Sequence, residues 1–181
     1  MRTAVTFLVI LLLAFTGCEK QEDSTVEKEQ PAEIDLHTAA ATGNLEAIEK
    51  HIEAGSDLNV RDPQGGACPL STAALFGQTE AAVALIEAGA DINCRGDDGA
   101  TPLHVAAFFC RTEIVNLLVD RGADKSIKNS YGSTPLEAVS GSWEAVKPVY
   151  EHFVKTLEPM GVKLDLVRIE ATRPKIAELL Q

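Results

Sequence analysis

Aromatic residues make up only 5% of this 181-residue chain, with one Trp and two Tyr. That scarcity argues against a β-sandwich. The apolar content is mostly Ala, Leu, Val and Ile, which favours helices. Positive charge is also short. Sixteen Lys and Arg against 27 Asp and Glu give a formal net charge of −11, and such a chain repels a phosphate backbone, so nucleic-acid binding is excluded. No phosphate-cradling glycine loop, dinucleotide fingerprint, HExxH zinc helix or GxSxG nucleophile elbow occurs. The four histidines, His37, His51, His104 and His152, have no carboxylate or thiol set at ligand spacing. Asp97-Asp98 falls in a turn-rich loop and is expected to be solvated rather than metal-bound. These absences predict a non-enzymatic chain with no cofactor and no metal.

Long apolar runs are missing as well, with one exception at the start. Val5 to Phe15 is too short to cross a bilayer comfortably and suits the apolar region of a signal peptide, 1–17. It ends in Phe15-Thr16-Gly17-Cys18. This resembles the lipobox of bacterial lipoproteins, although Phe15 stands where Leu is usual. The resemblance implies lipidation of Cys18, which would then be the first mature residue. Each buried CH₂ of an acyl chain contributes about 0.8 kcal/mol, so several chains anchor durably. Glu19 is not the Asp associated with inner-membrane retention, which implies the outer membrane, facing the periplasm of a bacterial envelope. After Cys18, the stretch to Glu33 carries six acids and two lysines and almost nothing apolar. It is expected to be a disordered, charge-extended tether over 18–33.

The body of the chain repeats itself. LHTAAATGNLEAIEKHIEAGSDLN (36–59), LSTAALFGQTEAAVALIEAGADIN (70–93) and LHVAAFFCRTEIVNLLVDRGADKS (103–126) superpose without a gap. The leading leucines step by 70 − 36 = 34 and 103 − 70 = 33, and a fourth copy begins at Leu136, 33 further on. Thr101-Pro102-Leu103-His104 is the TPLH motif of the ankyrin-repeat family. It is partly kept at Cys68 to Ser71 and at Thr134 to Glu137. With Gly89 to Asn93 and its relatives, the chain resembles that family closely. The resemblance implies an all-α solenoid of four repeats, about 34–61, 62–95, 96–128 and 129–157, with short β-hairpin loops. The region 158–181 is expected to form a degenerate C-terminal capping helix pair, because its TRPKIAELL echoes TEIVNLL of the third repeat.

The motif residues have physical reasons. Thr before Pro caps a helix, and Pro at the first helical position loses no useful N–H. Paired alanines let neighbouring helices approach closely. Pro148 should kink a helix or begin a new one. His37 and His104 are implied to bond the loop of a neighbouring repeat. Cys110 stands where other repeats carry Gly43 or Gly77, and it has no account from sequence. Cys68 and Cys94 fall near the bases of adjacent loops. Whether Cys68, Cys94 or Cys110 pair stays open.

The resemblance further implies a protein partner held on the concave face, formed by hairpin tips and the helix positions after each Ala-Ala pair. Carried over, this predicts an exposed apolar stripe of Leu75, Phe76, Phe108, Phe109 and Tyr131, rimmed by Arg61, Arg95 and Asp98. The expected function is a monomeric, membrane-tethered module that binds an envelope protein. The alternatives are a stress-protective, assembly or inhibitor factor for an envelope enzyme, or a secreted host-directed effector.

Overall fold

The computed structural model describes residues 34–181; the apolar leader, Cys18 and the tether lie outside the described residues. Helices α1 (Leu36–Thr42), α3 (Pro69–Phe76), α5 (Pro102–Phe108) and α7 (Pro135–Ser140) stack side by side as an inner layer. Helices α2 (Leu45–Glu53), α4 (Thr79–Glu87) and α6 (Thr112–Asp120) form the outer layer, each against its own inner helix. The alanine pairs Ala39-Ala40, Ala73-Ala74 and Ala106-Ala107 are fully buried, which is what lets the inner helices approach. Ile48, Leu85, Ile114 and Leu118 fill the space between the layers.

Among the described residues no β-strand forms, which corrects the expectation of β-hairpins. Each inter-repeat loop is a turn closed by two backbone bonds: Asp62 N–H to Ala67 O with Gly66 N–H to Asp62 O, Gly96 N–H to Ala100 O with Gly99 N–H to Gly96 O, and Asn129 N–H to Ser133 O with Gly132 N–H to Asn129 O. The reason is competition from side chains. The Asp62 carboxylate alone takes the N–H groups of Gln64, Gly65 and Ala67, leaving no ladder to build. Successive loops are still joined, by Asp97 N–H to Gly65 O and Ser130 N–H to Asp98 O.

The C-terminal part is arranged differently from the expected fourth repeat and capping pair. Helix α8 (Trp143–Leu157) does not take the outer position beside α7. It crosses the C-terminal ends of the inner helices, and a 3-10 turn, Glu158–Met160, reverses the chain. Helix α9 (Leu166–Leu180) then packs on α7 and α6, the two neighbours an outer helix has. It buries Ile169, Ile176 and Leu180 there. The fourth repeat is therefore α7 with α9, and residues 143–165 are an insertion between its two helices. Pro148 lies inside α8 without ending it. Its ring removes a bond to the Glu144 carbonyl, and both residues are exposed, so water can serve that carbonyl.

One polar device runs the length of the stack. The carbonyls of Ala41, Leu75, Phe108 and Gly141 end the inner helices at equivalent positions, stepping by 34, 33 and 33 residues. Gln78 Nε2 bonds the first at 2.9 Å and Arg111 Nη2 the second at 2.9 Å. Tyr150 Oη bonds the third at 2.8 Å, and Arg173 Nη2 the fourth at 2.8 Å. Satisfying these carbonyls matters because helix ends leave them without an intrahelical partner.

Candidate functional site

The pair Phe108-Phe109 is not surface. Phe109 is 7% exposed, Phe108 is half-buried, and the expected exposed stripe centred on them is corrected. Phe108 stacks on Tyr150 with ring centroids 4.5 Å apart. Phe153 packs edge-on against Phe108 at 5.5 Å and Phe109 at 5.4 Å. Leu157 and Val162 complete the cluster, and Leu75 and Phe76 are half-buried beneath it. The physical cause is the inserted segment. Its aromatic side chains need apolar partners, and the inner-helix ends of repeats two and three present them.

Cys110 acquires a reason in the same place. Its φ is +53°, in the left-handed region otherwise held among the described residues by glycine, for example Gly43 and Gly77. At Gly43 and Gly77 an added Cβ would meet the side chains of Gln78 and Arg111, which bond the neighbouring repeat. Beside position 110 the equivalent carbonyl, that of Phe108, is bonded by Tyr150 of the inserted helix instead of by a residue at the start of the next outer helix. The Cys110 thiol instead fills the gap to α9, 3.7 Å from the Ile169 carbonyl oxygen, and it is 1% exposed. Burial pushes its pKa up to about 11, so it stays a protonated, unreactive packing group.

The loop side is where exposure remains. Tyr131 sits at the tip of the fourth repeat's loop with 82% of its surface exposed. Arg61 pairs with Asp97 of the next loop, and Arg95 Nη2 donates to the Lys128 carbonyl at 2.9 Å. The Asp98 carboxylate accepts the Ala100 N–H within its own turn. Of these predicted rim residues, Arg61 and Arg95 thus knit consecutive loops into one surface. Below them, Gln64, Ser71, Asp97, Asp98 and Val105 line a shallow groove of about 320 Å³.

The inner-helix starts are tied to the following loops in three different ways. His37 Nε2 donates to the Val60 carbonyl at 3.0 Å. His104 Nε2 donates to the Ser133 carbonyl at 2.9 Å, while its Nδ1 accepts from the Thr101 backbone and lies 2.9 Å from the Thr101 hydroxyl. That places the proton on Nε2, and burial holds the His104 pKa below its ordinary value. The second repeat has Cys68 and Ser71 where Thr101 and His104 stand in the third. There a Cys68–Cys94 disulfide makes the tie, and Cys94 occupies the position equivalent to Val60, 34 residues on.

A family profile described as "Ankyrin repeats (3 copies)" matches residues 36–129. The chain belongs to the ankyrin-repeat family. As an ankyrin-repeat protein it is a protein–protein interaction module of a typically non-enzymatic kind. No curated protein matches the chain. No group of three or more potential metal ligands lies together among the described residues. The structure thus brings Arg61, Arg95, Asp98 and Tyr131 to the ankyrin loop face and keeps Phe108 and Phe109 apart from it. It also adds Tyr150, Phe153 and Arg173, whose signal in the sequence was the concentration of rings at 143, 150 and 153 in a chain otherwise poor in them.

Proposed function

We propose that this ankyrin-repeat protein is a lipid-anchored module of a bacterial envelope that binds a protein partner with its loop face. Tyr131, Arg61, Asp97 and Asp98 would form the contact, with Val105 at the groove floor. One observation carries the choice of face. Of the seven aromatic residues after position 33, Phe76, Phe108, Phe109, Trp143, Tyr150 and Phe153 gather around the inserted helix, and Tyr131 alone stands out into solvent. Tyr offers a large, stiff contact surface at low entropic cost and is a frequent interface anchor.

Two features support the exported, anchored reading. One is the lipobox-like ending at Cys18. The other is the Cys68–Cys94 disulfide, since such bonds persist in oxidising compartments. Capture of an envelope protein by the wild type, lost on Tyr131→Ala and kept on an exposed change such as Val167→Ala, tests the face. Equal capture by wild type and Tyr131→Ala contradicts it. Fatty-acid labelling of the wild type but not of Cys18→Ser tests the anchor, and an unlabelled wild type contradicts it.

A further inference from the structure

The opposite end of the inner helices carries a second site, distinct from the loop face. An open cleft of about 360 Å³ is lined by Arg111, Arg168, Thr79, Thr112 and Glu113. We propose that this cleft binds an oxyanionic group, with Arg111 and Arg168 as its cationic walls.

The chain has 27 acids for 16 bases, so most cations could find a carboxylate. Ion pairs among the described residues join Lys50 to Glu46, Arg61 to Asp97 and Arg121 to Glu87; Arg111 and Arg168 are in none of them. Both line the same cleft instead. Burial, and then the charge of Arg168, hold the Arg111 pKa below its ordinary value, so the two guanidiniums repel. Arg111 is fixed where it is by its bonds to the Leu75 carbonyl, and Gly77 leaves room for it. The Arg168 side chain has no hydrogen-bond partner among the described residues. A like-charged pair held in a cleft is stabilised by a bound anion.

The surroundings supply further donors. Helix α2 is capped by Asn44, whose side chain accepts the Ala47 N–H at 3.1 Å. At α4 and α6 the equivalent residues are Gln78 and Arg111. Their side chains reach back to the previous repeat, so neither helix has a side-chain cap. Their first-turn N–H groups and the Thr112 hydroxyl are therefore free for a ligand. Glu113 is the one carboxylate in the lining. One of its oxygens already accepts the Thr79 hydroxyl at 3.3 Å, and its formal charge leaves the walls at 2 − 1 = +1.

The test is thermal unfolding of the purified protein against inorganic phosphate, sulfate or acetate, with chloride replaced to hold ionic strength constant. The wild type should show a saturable rise in Tm. Arg168→Gln, an exposed change that breaks no bond, should need about tenfold more anion, and Glu113→Gln less. A response to phosphate and sulfate identifies a phosphate- or sulfate-bearing ligand, and one to acetate alone a carboxylate. Overlapping curves for wild type and Arg168→Gln, or no saturable response to any of the three, overturn the proposal. The Tyr131 experiments are unaffected by either result.

Discussion

Tyr150 donates its hydroxyl to the Phe108 carbonyl at 2.8 Å and accepts from Arg173 Nη1 at 2.9 Å. A single oxygen thus joins the end of α5, the inserted helix α8 and the returning helix α9. Burial raises the Tyr150 pKa to about 12, so the hydroxyl remains a donor at any ordinary pH. The Arg173 guanidinium also lies 5.7 Å from the Tyr150 ring centre. These contacts fix the insertion on the stack.

Tyr150→Phe should therefore unfold more easily than its shape change suggests. It leaves the Phe108 carbonyl and one Arg173 N–H without their partner, at a cost of about 1–3 kcal/mol. Urea unfolding should show a lower midpoint at an unchanged m-value. An unchanged midpoint would mean that water replaces the hydroxyl freely and that the joint is not structural.

Phe109→Ala should cost about 3–5 kcal/mol, as expected for emptying a buried aromatic site. Tyr131→Ala, on the exposed loop tip, should stay within about 0.5 kcal/mol of the wild type. Circular dichroism with denaturant titration reads both. Equal, small effects would return Phe109 to the surface.

The disulfide should stabilise the second repeat. Reduction, or Cys68→Ser, should cost about 2–4 kcal/mol, the usual range for closing a loop of this size. In a Cys94→Ala background, Cys68→Thr with Ser71→His rebuilds the Thr and His of the third repeat and should recover about 1 kcal/mol through hydrogen bonds. A reduced protein as stable as the oxidised one would show that the tie is dispensable.

Acid should loosen the third repeat through His104. Its folded pKa lies below its unfolded value, so the unfolded state binds the extra proton first. The contribution is present above the ordinary value of 6.5 and is lost as pH falls through that value towards the folded one. Protonation of Nδ1 also removes the acceptor for Thr101. Unfolding midpoints between about pH 7.5 and 5 should fall more steeply in the wild type than in His104→Gln. Parallel curves would assign the acid sensitivity elsewhere.

Much of this was legible in the sequence, and the exceptions share a cause. Repeat period, capping residues, alanine pairs and histidine ties act within one repeat or between adjacent ones, so local spacing reveals them. The echo of an outer helix in Thr172 to Leu180 was equally local, and α9 does take an outer position. What spacing could not reveal was its register in the stack, because residues 143–165 separate it from its inner helix. Phe108 and Phe109 were misplaced for the same reason. Their position in the repeat is a surface position, and what covers them lies over 40 residues away at Tyr150 and Phe153. Cys110 has a reason only once α9 is seen against it.

On the proposed function, the inserted helix closes one part of the repeat surface and the loop face takes the partner. A photo-crosslinking amino acid placed at 131, at 108 or at 109 in living cells tests it directly. An adduct with another protein is expected from position 131, and from 108 and 109 only links within the chain, to the segment around Tyr150 and Phe153. Adducts with another protein from 108 or 109, with none from 131, would contradict it.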